Sequence, residues 1–153
     1  MDSVTQILLG ATVAELAIGK AIGRRAALYG AVLGTVPDLD VIINYGGPVE
    51  NFTYHRGFSH SLLVLSAASP VIGWALHKMF GQASLRHWIL MVWLVLITHP
   101  LLDAMTVYGT QLFWPITEYP VSGSSLFIID PAYTIWLLIG VLAVIFMRRA
   151  PET

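Results

Sequence analysis

The sequence predicts an all-α fold, a polytopic membrane bundle of about five short transmembrane helices with the N-terminus outside and the C-terminus cytoplasmic. Three observations predict it. Apolar residues make up 56% of the chain and charged residues only 11%, with a mean hydropathy of +0.72, outside the usual range of a water-soluble domain. The apolar stretches approach the roughly 20 residues that cross about 30 Å of hydrocarbon. The basic residues, finally, sort to one side of the layout those stretches imply. The 153 residues read as a single integral-membrane helical domain, 1–153.

The candidate spans cover residues 4 to 22, 26 to 45, 61 to 79, 88 to 108 and 131 to 147. The leading Met1-Asp2-Ser3-Val4-Thr5-Gln6 lacks the basic start of a cleaved signal peptide, so the first apolar segment is expected to remain as a helix. Gly10/Ala14 in span one and Gly30/Gly34 in span two are small-xxx-small pairs, which let two helix backbones approach closely, so these two spans are expected to pack along those faces. Tyr45-Gly46-Gly47-Pro48 reads as a turn after span two, and Trp114-Pro115 through Ser125 as an irregular loop between spans four and five. Asp130-Pro131 opens span five as a capping residue followed by proline at the first helical position.

Lys20, Arg24 and Arg25 lie between spans one and two, Lys78 and Arg86 between three and four, and Arg148 and Arg149 after five. Of the eight basic residues only Arg56 falls on the opposite side, with Asp2, Glu50, Glu118 and Asp130. Cytoplasmic loops carry the excess of Lys and Arg, which sets the orientation. The net charge of -1 and the lack of any basic run with interleaved aromatics exclude a nucleic-acid partner. Without cysteine, any metal must be held by nitrogen and oxygen.

Depth measured from the basic face brings two motifs together. Asp38 lies twelve residues beyond Ala26 and His99 eleven beyond Trp88, so both sit roughly 17 to 18 Å in, past the midplane. Pro37-Asp38-Leu39-Asp40 and His99-Pro100-Leu101-Leu102-Asp103 thus occupy matching levels in the outer half of the membrane, each with a proline that loosens the helix. Ionisable groups in hydrocarbon are costly unless paired, protonated or metal-bound, so several at one depth imply a site. His99 and Asp103 share a helical face; Asp38 and Asp40 do not, and reach one ion only if Pro37 breaks the helix. His55-Arg56-Gly57-Phe58-Ser59-His60-Ser61 enters span three from the same side, with Ser59 as a candidate cap for the helix that follows. Each element alone has a plain reading: a structural His–Asp pair, a Pro-Asp turn, a solvated loop. Together, three imidazoles and three carboxylates form the mixed N/O set that holds Zn, Mn or Fe, as one ion or two.

Weaker candidates surround this set. Glu15 sits deeper in span one as a protonated packing group or a hydrogen-bond partner of the site, and Gln6 lies near its outer end, within hydrogen-bond reach. His77 and His87, beside Lys78 and Arg86, read as interfacial, and the tryptophans and tyrosines as core or interface anchors. No nucleophile-elbow, phosphate-loop or dinucleotide fingerprint is present.

The opening Met1 to Gln6, Pro37 to Asp40, His55 to Ser61, Thr98 to Asp103, Tyr108-Gly109-Thr110-Gln111-Leu112-Phe113-Trp114-Pro115 and Phe127 to Pro131 resemble, in order and over nearly the whole chain, the YdjM-like family of bacterial inner-membrane proteins described as metal-dependent hydrolases. The resemblance implies a multi-pass protein of the bacterial inner membrane with a metal site at Asp38, Asp40, His55, His60, His99 and Asp103, the positions that depth selects independently. Members carry His where this chain has Gln6, which implies a ligand replaced or absent here, and some relatives extend further at the C-terminus. The function expected is a membrane-embedded hydrolase, with zinc favoured over manganese or iron, acting from the outer leaflet on a lipid or lipid-linked ester or phosphoester. Asp40 or Asp103 would serve as general base and Arg56 would hold the anionic head group, with Gln6, Glu15, Ser59 and Asp130 in support. Two other readings use the same residues: a metal or proton transporter with Glu15 on its path, and a structural membrane protein whose metal staples the helices together.

Overall fold

The computed structural model describes residues 1–44, 46–47 and 56–147. Among the described residues there are five α-helices, α1 (Ser3–Ile22), α2 (Arg25–Leu33), α3 (Leu62–Phe80), α4 (Leu85–Asp103) and α5 (Pro131–Met147), with 3-10 turns at Pro37–Ile42 and Phe58–His60. No strand forms among the described residues, only isolated bridges between Thr106 and Leu126 and between Thr110 and Val121. Three helices, α1, α3 and α4, are long and apolar enough to cross a membrane; α5 is a shorter apolar helix. Their outward faces carry residues such as Leu16, Trp136 and Phe146 largely exposed to the surroundings, an arrangement suited to hydrocarbon as the solvent.

Local chemistry sets the helix ends. Asp2 caps α1 by accepting from Thr5 N at 3.0 Å, and Gly23, at φ 66°, turns the chain out of it. Ser61, not Ser59, caps α3 by accepting from Val64 N, and Gly81 closes α3 in the left-handed conformation. Asp130 accepts from Tyr133 N at 3.1 Å at the start of α5, in keeping with the expected cap and proline.

Helices α1 and α2 lie backbone to backbone. A methyl group on Gly10 or Gly30 would collide with the other's carbonyl oxygen, and one on Gly34 would lie 2.6 Å from the Gln6 carbonyl oxygen. Gly73 makes the same close approach between α3 and α4, where an added methyl would stand 2.7 Å from Ile89 Cα. Around these contacts Ala14, Ile18, Leu65, Trp88, Met91 and Leu96 form the core. Tyr29, Phe80 and Trp88 seal its basic end, with ring centroids 4.7 to 6.0 Å apart. Helix α5 leans on α1 and α2 through Val141 against Ala11 of α1 and Ala27 of α2, and on α1 through a 2.6 Å hydrogen bond between the Thr5 and Thr134 hydroxyls.

The second segment departs from the continuous span expected over 26 to 45. Helix α2 is nine residues long, and from Thr35 onward the hydrogen bonds shorten to i→i+3, as in Val36 N to Leu33 O at 3.1 Å and Leu39 N to Val36 O at 3.2 Å. Pro37 has no N–H to offer the Leu33 carbonyl, so an α-helical turn cannot continue through it. The break leaves the Gly34 carbonyl open to a partner from another helix. Helix α4 likewise ends at Asp103, and the connection to α5 is irregular.

Candidate metal centre

The topology gathers polar groups at one end of the bundle. Helix α1 starts there and runs to Lys20, α3 starts there and runs to Lys78, and α4 runs back from Arg86 to Asp103. The basic residues of these connections therefore lie at the far end. At the near end the Pro37–Ile42 turn, the Phe58–His60 turn and the last turn of α4 converge, and they bring Asp38, His60, His99 and Asp103 together. One ligand atom from each of the four lies within 4.8 Å of all the others.

The helix break positions His99. Its Nδ1 stands 2.8 Å from the freed Gly34 carbonyl oxygen; a carbonyl can only accept, so Nδ1 carries the hydrogen and Nε2 presents its lone pair. His60 is set in the same way from the opposite side. Ser59 Oγ donates to Asp40 Oδ2 at 2.6 Å and therefore accepts from His60 Nδ1 at 2.9 Å, which in the neutral imidazole leaves Nε2 as the unprotonated nitrogen, turned toward the other donors. The two Nε2 atoms then face each other at 3.2 Å with no proton assigned between them, an arrangement that lone-pair repulsion opposes unless a cation lies between.

Around them, Asp38 Oδ1 is 3.4 Å from His60 Nε2 and 3.3 Å from His99 Nε2, while Asp103 Oδ2 is 3.2 Å and 3.6 Å from the same atoms. Tetrahedral coordination with metal–N and metal–O bonds near 2.0–2.2 Å sets neighbouring donors about 3.3–3.5 Å apart. Five of the six edges thus match one four-coordinate ion. Two carboxylates and two neutral imidazoles also supply two negative charges, the complement of a divalent cation. The residues fit a metal. The Asp38 side chain is 24% exposed, against 0–1% for the other three, so the group opens on the Asp38 side.

The other expected residues take distinct places. Asp40, two residues from Asp38, faces the other way: its Oδ2 accepts from Ser59 Oγ and from Arg56 N at 3.0 Å and stays 3.9 Å from His60 Nδ1, on the far side of that ring from the four donors. Gln6 Nε2 donates to Asp103 Oδ1 at 3.1 Å and to the His99 carbonyl at 3.3 Å, and the Met1 amino group pairs with Asp103 Oδ1. Glu15 is buried nine residues further along α1 and lines a small apolar cavity against α5, apart from the cluster. Asp130 sits at the start of α5. His55 and Glu50 lie outside the described residues, as do Arg148 and Arg149.

Arg56 is buried, with its backbone in the left-handed region at φ 64°, a conformation that costs about 1–3 kcal/mol in a non-glycine residue. Two backbone hydrogen bonds hold it there, Arg56 N to Asp40 and Gln111 N to Arg56 O at 3.1 Å. The guanidinium lies 4.5 Å from the Tyr108 ring, with Nε 3.5 Å from Asp103 Oδ2. Nη1 is buried without a hydrogen-bond partner among the described residues. Sequence reasoning missed the lid over this end, where Thr106, Thr110 and Gln111 are buried. The polar Thr-Gln pair inside an apolar stretch was its only signal.

A family model described as YdjM inner membrane protein matches residues 1–153. The uncharacterized protein YfhP of Bacillus subtilis (strain 168) is 26% identical over 138 residues, covering 86% of this chain and 42% of that protein. The inner membrane protein YbcI of Escherichia coli (strain K12) is 30% identical over 96 residues, covering 62% of this chain and 55% of that one. The chain thus spans about half the length of these relatives. No solved structure matches it. With its apolar helices and a match that runs from the first residue to the last, the chain belongs to the YdjM inner membrane protein family.

Proposed function

We propose that this single-domain protein is a membrane-embedded, metal-dependent hydrolase that acts on a lipid or lipid-linked ester or phosphoester, with its site toward the outer leaflet. The observation that carries the reading is the pair of Nε2 atoms facing each other at 3.2 Å between two carboxylates. Asp38, His60, His99 and Asp103 would hold the ion, zinc in preference to manganese or iron because the donor spacing suits four-coordination. When bound, a divalent cation supplies Lewis acidity and lowers the pKa of water toward neutrality. The basic connections at the far end support an N-terminus outside and a site facing outward.

The chain's own residues divide the remaining work. Asp40, outside the four donors and held by Ser59 and Arg56 N, would orient His60 through Ser59, and the proton of the attacking water would pass to the Asp38 carboxylate on the open side of the cluster as the new bond to the ester carbon or phosphorus forms. The leaving alcohol departs with a proton, so ester and water become acid and alcohol. Arg56 Nη1, buried with no hydrogen-bond partner among the described residues, would meet the charge that develops on the scissile group.

Purified protein in lipid nanodiscs is expected to release a hydrolysis product that disappears on chelation and returns with zinc. Arg56→Ala is expected to slow it about 100-fold or more. Turnover unaffected by chelation removes this reading. A stapling metal is favoured by one observation, that four protein donors close a tetrahedral site as structural zinc sites do. Under that reading Asp38→Ala lowers thermal stability with no catalytic defect to separate from it; under the hydrolase reading, turnover falls in variant protein that is still folded.

A further inference from the structure

An open groove starts at the polar end of the bundle and runs away from it between the Pro37–Ile42 turn and helix α3. Its α3 wall is Val64, Leu65, Ala68 and Ile72, positions that repeat along one helical face. Leu96 of α4, fully buried, closes the floor, and Leu39 and Ile43 form the opposite lip. Among the described residues that line it, Asp40 and Ser59 are the only acidic or hydroxyl side chains. These two also connect, through Ser59 Oγ and His60 Nδ1 at 2.9 Å, to the four-donor group. Phe58 stands at the mouth, edge-on to Trp114 with ring centroids 6.3 Å apart.

From Val64 to Ile72 the wall is about 12 Å long, most of the roughly 15 Å depth of one leaflet's hydrocarbon. Helix α3 is one of the three apolar helices long enough to cross a membrane, so hydrocarbon is the medium beside it. Water in such a trough would find no hydrogen-bond partners beyond its polar end, and a void would forfeit dispersion contacts along both walls.

We propose that this groove seats one acyl chain of a bilayer phospholipid, with the chain's ester end at Asp40 and Ser59 and its methylenes along Val64, Ala68 and Ile72. That this lipid is also the substrate rests on the hydrolase reading. Ala68 is then a specificity-determining position, because it is the smallest side chain on the wall and a larger one fills the trough between Val64 and Ile72.

The test uses the full chain in nanodiscs containing a phosphatidylcholine with a diazirine at mid-chain, followed by illumination and mapping of the adducts by mass spectrometry. Labelling is expected severalfold higher at Val64, Ala68 and Ile72 than at Leu63, Val71 and Trp74, which face outward from the same helix. Ala68→Phe is expected to cut groove labelling about tenfold or more, whereas Val71→Phe leaves it as it is. Equal labelling of both faces, or groove labelling that survives Ala68→Phe in folded protein, overturns the seat. The wild-type map requires no variant to fold. Selective groove labelling without chelation-sensitive turnover supports the seat and removes only the hydrolase reading; turnover without selective labelling does the reverse.

Discussion

A His99→Ala variant is expected to lose metal affinity by at least about 100-fold and to copurify with essentially none, because weakening even the groups that support a metal ligand costs 10–100-fold. The substitution removes one Nε2 donor and also leaves the Gly34 carbonyl, which His99 Nδ1 meets at 2.8 Å, unpaired in a buried position, a loss of about 1–3 kcal/mol. Elemental analysis beside wild type reads the first effect and thermal unfolding in detergent the second. His87→Ala is the control, since His87 is exposed and pairs with Ser84 at 2.7 Å far from the cluster; its metal content should equal that of wild type. Equal metal in His99→Ala would dismiss the centre itself.

Gly30→Ala is expected to be the most damaging single methyl addition in the chain. The new carbon would land on the Gly10 carbonyl oxygen and on Ala14 Cβ, a backbone atom and a side-chain atom fixed directly to the backbone, neither of which can swing aside. Forced separation of α1 and α2 is expected to cost about 3 kcal/mol or more, seen as a lower unfolding temperature and lower yield from the membrane. Gly140→Ala on α5, where nothing lies within 4 Å of the added carbon, should be neutral or slightly stabilising through its better helix propensity. If the two variants unfold together, close packing of α1 on α2 is not what holds the bundle.

Both effects were partly legible in the sequence. The small residues at Gly10, Gly30 and Gly34 announce a close helix pair, and the level shared by Asp38 and His99 follows from counting at helical rise, since both segments start at the same face. Counting fails where the backbone leaves the helix. The Pro37–Ile42 turn carries Asp38 into the cluster and rotates Asp40 out of it, a difference of direction that spacing alone does not encode. His60 enters from a 3-10 turn whose approach depends on Ser59 bridging to Asp40, a contact between residues nineteen apart in the chain. Arg56 as the lone cation on its side was readable; its burial beneath Tyr108 was not, because the residues after Asp103 that cover it have no periodicity to interpret.

Gly34 serves two roles at once. Its missing side chain lets α2 settle onto the Gln6 carbonyl of α1, and its own carbonyl aims the imidazole of His99. Docking of the first helical pair and alignment of a donor on the fourth helix are therefore a single mechanical event. A cation held by the four donors would therefore find His99 aligned only after that pair has closed, and a bilayer stress that pries the pair apart would turn that donor away.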